Sequence, residues 1–423
     1  MTPPARIVVI GGGVAGFSAV RELRRRGFDG ALTLLAPEGL PYDRPPLSKG
    51  YLAGTEDAAS LLLAPEAWYA EQRVEVLAAR AAALRPGEGA VELDGGRLLP
   101  ADRVLLATGG VPRRLPVPGG EAALVLRTRE DADRLRRAFV PGALIAVVGA
   151  GLIGAEVASA ARAAGAEVTL IDPLDPPLAP AVGEALARRL HAVHAERGVR
   201  TVAGTPVAIE GGTHPGAPGG AAHRVVLADG SSVPADAVVA GIGIAPDTAL
   251  AEAAGIEADG GVLADASGAT SLPAVFAAGD AVRPRAADGS PAARVEHWEA
   301  AVRSGEAAAA GMLGQEPTGA APGAGSPAGP GAPWFWSDRH GSHVEAVGTL
   351  DPGRSPGART VLRELDGVPV AAFLVARDGH LLGAASVDAP LIVRAARRII
   401  DRGIVPDLAR LADPAVDPRR LTR

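Results

Sequence analysis

Two stretches of this chain repeat one alternation: an apolar run, a glycine loop, a helical period and a second apolar run. In the first, Arg6 to Ile10 is followed by Gly11-Gly12-Gly13-Val14-Ala15-Gly16, a helical pattern to about Arg26, and a strand pattern over residues 32–35. In the second, residues 144–148 lead into Gly149-Ala150-Gly151-Leu152-Ile153-Gly154, a helical pattern to about Ala164, and a strand that ends on Asp172. Each loop reads G-x-G-x-x-G between a strand and a helix, the setting in which the motif binds a dinucleotide. The first glycine makes the turn, the second lets backbone approach a pyrophosphate, and the third allows close helix packing at a helix N-terminus that faces the phosphates.

A second echo supports a duplicated design. Residues 100–112, with Ala107-Thr108-Gly109, resemble residues 234–246, with Gly241-Ile242-Gly243. Each follows a polar hairpin turn and reads as a buried strand ending at glycine. Another such strand ends at Gly279-Asp280, and Glu296-His297-Trp298 opens an Ala-rich helix to about Leu313. The pattern beyond Trp334 changes to strand-like runs at residues 361–365, 368–375 and 380–386, then a helix over 389–402. The fold expected is α/β: two Rossmann-like dinucleotide-binding domains and a small C-terminal α+β domain. The boundaries read as 1–115 with 247–315, then 116–246, a Gly/Ala/Pro linker over 316–333, and 334–423. Residues 211–222 read as a smaller surface insertion.

Composition narrows the chemistry. The chain has 423 residues and a net charge of −6, which disfavours nucleic acid and anionic membrane as partners. No apolar run reaches membrane-spanning length and a strand pattern begins at Arg6, so a cytoplasmic location is expected. There is no cysteine, so disulfides, thiolate metal sites and cysteine nucleophiles are excluded. Lys49 is the only lysine among 42 basic residues. In a chain that otherwise uses arginine, it marks a site that needs a compact ammonium. It stands on a loop stiffened by Pro41, Pro45 and Pro46, together with Arg44.

Carboxylates at strand ends suggest which nucleotide sits where. Asp172 is placed to read a ribose 2′-hydroxyl with no arginine close behind it, which favours NADH over NADPH. Glu38 is the nearest equivalent in the first repeat, one or two residues late and after Pro37. The histidines read as ordinary: His191 and His194 have no partner at ligand spacing, and His340 and His343 read as a loop pair. No metal site is expected.

Taken together, the chain resembles the ferredoxin reductase family of FAD-dependent pyridine-nucleotide oxidoreductases, over nearly its whole length. The resemblance rests on the first glycine loop with Tyr42-Asp43-Arg44-Pro45-Pro46-Leu47-Ser48-Lys49, on Ala107-Thr108-Gly109 and on Leu126-Arg127-Thr128. It continues in residues 149–156, 276–280 and 295–298, and in Pro333-Trp334-Phe335-Trp336-Ser337-Asp338. It implies FAD in the first unit and NADH in the second. It further implies that Asp280 holds a ribityl hydroxyl, that Lys49 pairs with Glu156 near the flavin N5, and that Arg44 and Arg127 touch FAD. Ala15 and Ala82 would give backbone contacts, and Trp298 and Trp336 would lie by the flavin ring, with His297 as a flavin-side contact. Gly11, Gly13, Gly16, Glu38, Ala107, Thr108, Gly109, Gly279 and Glu296 complete the FAD set; Gly149, Gly151, Leu152, Ile153, Gly154 and Gly243 complete the NADH set. Arg339 departs from the glutamine common there, and the linker is unusually long.

The implied activity is hydride transfer from NADH to FAD, then single electrons to an acidic [2Fe-2S] ferredoxin, bound transiently, that serves an oxygenase. The protein would act as a monomer or homodimer. Alternatives are an NADH dehydrogenase with another acceptor, or a redox-responsive interaction protein resembling apoptosis-inducing factor. Cysteine-dependent disulfide reductases and peroxidases of the same fold are excluded. Arg394, Arg397, Arg398 and Arg402 fall on one face of the last helix, with Leu391, Ile399 and Ile400 expected toward the core. The resemblance places that domain on the electron-exit side, so the arginine face is a candidate ferredoxin dock.

Overall fold

The computed structural model describes residues 4–212, 221–286, 288–316 and 332–422. The linker expected over 316–333 and the insertion over 211–222 therefore lie largely outside the described residues. The chain divides into two compact units: Met1–Arg44 with Ala59–Val111 and Ile244–Ala324, and Pro45–Ala58 with Pro112–Gly243 and Gly325–Arg423. The loop bearing Lys49 thus groups with the second unit, as does the C-terminal region.

In the first unit five parallel strands run in the order Val275–Ala277, Arg103–Leu106, Arg6–Ile10, Ala31–Leu35 and Val74–Leu77. Their continuous apolar runs suit strands covered on both faces. On one face Val9, Leu34 and Leu105 join the core beneath the helices Val14–Arg25 and Trp298–Met312. These helices approach closely because Gly305 has no side chain: a Cβ there would sit 2.2 Å from the Ala15 carbonyl oxygen. On the other face Val8, Ile10, Val104 and Leu106 pack with Leu84, Val91 and Leu93 of a three-stranded antiparallel sheet.

The second unit repeats the plan. Its parallel strands run Arg200–Ala203, Glu167–Asp172, Leu144–Val148 and Ala237–Ala240, beside a three-stranded antiparallel sheet. A five-stranded antiparallel sheet follows, in the order Trp334–Arg339, Ser342–Gly348, Leu381–Val387, Val368–Val375 and Arg359–Leu365. One face packs on the helix Pro390–Asp401 through Phe373, Ile392, Val393, Ile399 and Ile400. The other packs on the helix Glu184–Glu196 through Leu186, Leu190, Val344 and Ala385. Leu391 does not join the core; it is 41% exposed. Seven residues before Arg398 and eleven before Arg402, it falls on their stripe, whereas residues 392, 393, 395, 396, 399 and 400 form the buried face. Among the described residues no helix is long and apolar enough to cross a membrane.

Candidate functional site

In the first unit, Gly11 has a φ of +122°, and a Cβ there would lie 2.1 Å from the Ala107 carbonyl oxygen. A side chain would collide with the neighbouring strand end. Gly13 caps the helix Val14–Arg25 without a side-chain hydrogen bond, and a Cβ there would meet nothing within 4 Å. The result is an open cradle with helix amides directed into it, the arrangement that receives a phosphate. Gly16 has no such space: its Cβ would lie 2.0 Å from the Gly11 carbonyl oxygen, so it serves packing.

Around that cradle, Glu38 accepts from the Tyr42 hydroxyl and pairs with Arg44 at 3.1 Å; the Arg44 guanidinium also lies 5.5 Å from the centre of the Tyr42 ring. Glu38 is thus held by two neighbours despite following Pro37. Thr108 Oγ1 donates to the Asp247 carbonyl at 2.7 Å, and Asp247 N donates to the Gly109 carbonyl at 2.9 Å. Asp280 stands in a 3-10 turn, Gly279–Ala281, where Gly279 N donates to Ser304 Oγ at 2.9 Å. His297 caps the helix Trp298–Met312; burial pulls its pKa down, opposed by the Asp280 carboxylate. Trp298 Nε1 donates to Asp43 Oδ1 at 2.8 Å, and Glu296 pairs with Arg294. Ala15 is buried, and Ala82 is exposed on a strand whose register shifts at its position.

The second unit holds the matching cradle. Gly149 has a φ of +96°, with its Cβ position 2.5 Å from the Gly241 carbonyl oxygen, and Gly151 opens on space at the start of the helix Leu152–Ala163. The Gly154 Cβ position lies 1.8 Å from the Gly149 carbonyl oxygen, which repeats the packing role of Gly16. Leu152 and Ile153 form the first turn of that helix, and Ile153 is exposed. Asp172 accepts from Ala150 N at 2.7 Å and from Leu174 N at 2.9 Å, so it braces the loop it would serve. Gly243, at φ +88°, accepts from Arg113 N at 2.9 Å. Arg127 N donates to Asp131 Oδ2 at 3.1 Å, just ahead of the capping box formed by Thr128 and Asp131.

The most concentrated chemistry in this unit surrounds Glu156. Its side chain is only 3% exposed, yet Lys49 Nζ lies 2.7 Å from Oε1 and Ser48 donates to Oε2. Ser337 Oγ donates to Oε1 at 2.6 Å, and Asp338 N reaches it at 3.2 Å. A buried carboxylate needs such company, because uncompensated charge away from water is costly. Lys49 Nζ also stands 5.9 Å from the centre of the Trp336 ring, which stacks on Trp334 at 5.1 Å.

Two histidine expectations are corrected here. His194 is buried and has a histidine partner: His340 Nε2 lies 2.9 Å from its Nδ1. His343 pairs with carboxylates instead of with His340, at 2.6 Å to Asp338 and 3.0 Å to Glu345. Sequence reasoning missed the first contact because its partners lie 146 residues apart. Among the described residues, no group of three or more His, Asp or Glu is arranged to hold a metal ion.

Comparison with known proteins bears on the family and the fold. The profile of the pyridine nucleotide-disulphide oxidoreductase family matches residues 5–305, and that of the reductase C-terminal family matches residues 334–422. The chain is 36% identical to the anthranilate 1,2-dioxygenase system ferredoxin--NAD(+) reductase component of Burkholderia cepacia, covering 97% of each chain. It is 32% identical to the putidaredoxin reductase of Pseudomonas putida, over 97% of this chain and 95% of the other. The reductase in the covalent putidaredoxin reductase–putidaredoxin complex superposes with a TM-score of 0.86 at 31% identity, covering 99% of this chain and 98% of that one.

Proposed function

This chain belongs to the pyridine nucleotide-disulphide oxidoreductase family, and from that premise we propose that it is an FAD-dependent NADH:ferredoxin reductase supplying an oxygenase system. The observation that carries the reading is a pair of open glycine cradles, one in each unit, in a chain without cysteine. Two dinucleotides can be held, while no thiol is available to take or pass electrons. The family's disulfide chemistry is therefore closed to this protein.

The residues fit the cofactors. Gly11, Gly13 and the uncapped amides of the helix Val14–Arg25 would hold the FAD pyrophosphate, with Glu38, Arg44, Thr108 and Asp280 around it. Gly149, Gly151 and the helix Leu152–Ala163 would hold that of NADH, with Asp172 accepting from its ribose. When bound, NADH supplies a hydride to FAD, and FAD releases the electrons singly to an iron–sulfur partner. The protein binds and orients. The Trp298–Met312 helix offers its positive N-terminal end at Trp298, which favours added negative charge. Lys49, held at one oxygen of Glu156, is a compact cation that could favour added negative charge.

The partner reading goes one step further. Arg394, Arg398 and Arg402 are exposed on one stripe, and Leu391 stands among them, whereas Arg397 is partly engaged by Asp401 at 3.9 Å. A basic stripe around an exposed leucine suits a transient acidic [2Fe-2S] ferredoxin, which charge would steer to a protein whose net charge is −6. The protein is read as a monomer or homodimer of the cytoplasm, where NADH is found.

The test is direct. Purified protein should be yellow, its flavin absorbance should bleach on NADH addition, and it should reduce a [2Fe-2S] ferredoxin catalytically. A protein that takes up flavin and reduces ferricyanide but no ferredoxin would leave only the NADH dehydrogenase reading.

A further inference from the structure

The helix Leu152–Ala163 carries the second glycine cradle at its start and is gripped further along by one short segment of chain. Glu156 Oε1 accepts from Ser337 Oγ at 2.6 Å and from Asp338 N at 3.2 Å. Ser159 Oγ accepts from His340 N at 2.8 Å and lies 3.3 Å from His340 Nδ1. Glu156 and Ser159 are three residues apart, so they share one face of the helix. A single grip would leave a pivot at Glu156. A second grip a turn away fixes tilt and rotation together. Ser159 stands about 12 Å along a stiff rod from Gly151, so where it is held decides where the first-turn amides point.

His340 is an unusual residue for its place. Arg339 pairs with Ser342 across the hairpin, and the two-residue loop between them, His340 and Gly341, has φ of +50° and +83°. Asparagine before glycine is the favoured filling of such a loop, because most side chains are strained there. The imidazole reaches where asparagine is too short to reach. Besides the Ser159 contact, its Nε2 lies 2.9 Å from Nδ1 of His194, which is 1% exposed on the helix Glu184–Glu196. That helix is itself seated on the C-terminal sheet through Leu186 and Leu190. One ring thus bridges two helices from the tip of a hairpin, and the turn requires neither bridge.

We propose that His340 is a positioning residue for the nucleotide cradle of the second unit: with Ser159 it fixes the direction of the helix Leu152–Ala163 and so aims its first-turn amides at the dinucleotide. By linkage, a nucleotide in the cradle holds the hairpin as firmly as the hairpin helps to hold the nucleotide. The inference rests on the reading of that cradle as the NADH site.

Titration of the FAD-loaded protein with NAD+ tests it, with His340→Asn, Ser159→Ala and the double substitution measured beside the unsubstituted chain. Asparagine suits the turn and alanine suits a helix interior, so neither change opposes local structure. Each single substitution should weaken NAD+ binding about fivefold. The double substitution should weaken it by much less than the product of the two, because both remove one contact. NAD+ should slow hydrogen exchange over residues 334–348 in the unsubstituted protein, and less so in each variant. A lower melting temperature with unchanged NAD+ affinity would make the bridge purely structural and overturn the inference. Effects that simply multiply would also overturn it, since the two residues would then act separately. If the unsubstituted protein takes up FAD but binds no NAD+, the reading of the cradle fails and the inference falls with it.

Discussion

His194 and His340 meet ring edge to ring face, with centroids 4.8 Å apart and one nitrogen pair at 2.9 Å. Ser159 holds the far side, accepting from His340 N at 2.8 Å and lying 3.3 Å from its Nδ1. Burial first, then the Arg339 charge, pushes His194 from 6.5 to about 3; burial, then Arg197 and Arg339, pushes His340 to about 4.

This pair predicts acid sensitivity. Below about pH 6.5 the unfolded chain takes up protons at both positions, and the folded chain does not until pH reaches about 4 and about 3. Stability should therefore fall as pH is lowered through that window, by up to about 1.4 kcal/mol per pH unit for His194 and by less for the half-buried His340, whose charge solvent screens. His194→Gln removes one titrating group. Denaturant midpoints across the window should show it with the shallower slope, and parallel slopes would refute the assignment.

How much of this could be read beforehand depended on how local the cause was. The glycine loops and their strands were legible because each fits in about thirty contiguous residues with its own steric logic. The pairing of Lys49 with Glu156 spans 107 residues and was reached only through family resemblance. The His194 contact offered no local signal. The last helix is legible, and so is the facing of Leu391: Ile392, Val393, Ala396, Ile399 and Ile400 recur at helical spacing, and Leu391 falls outside that stripe, so expecting it toward the core misreads the period.

Lys49→Met should slow flavin reduction by NADH by about ten- to a hundredfold, about 1.4 to 2.7 kcal/mol of barrier, without releasing FAD. Glu156 keeps Ser48, Ser337 and Asp338 N as donors, so the fold should survive the change. Stopped-flow reduction at the unsubstituted rate would show that the ammonium has no part in the chemistry.

Asp172→Asn should narrow the preference for NADH over NADPH by about tenfold, since it removes a charge that repels a 2′-phosphate. Asparagine can still accept from Ala150 N, at the loss of the Leu174 N contact, because its amide nitrogen only donates. The ratio of kcat/KM for the two nucleotides is the measurement, and an unchanged ratio would move specificity elsewhere.

The triple substitution of Arg394, Arg398 and Arg402 by glutamine should raise the KM for ferredoxin severalfold and flatten its dependence on salt. Ferricyanide reduction by NADH should be untouched. Unchanged ferredoxin kinetics would place the dock on another surface.

The ion pair at Lys49 also governs how the protein meets amine-reactive reagents. The chain offers them a single side-chain amine, 18% exposed and clasped by Glu156. Acylating or cross-linking agents that decorate ordinary proteins at many lysines would find the surface almost blank. Whatever reacts at Lys49 would leave the arginine-bearing faces chemically unaltered.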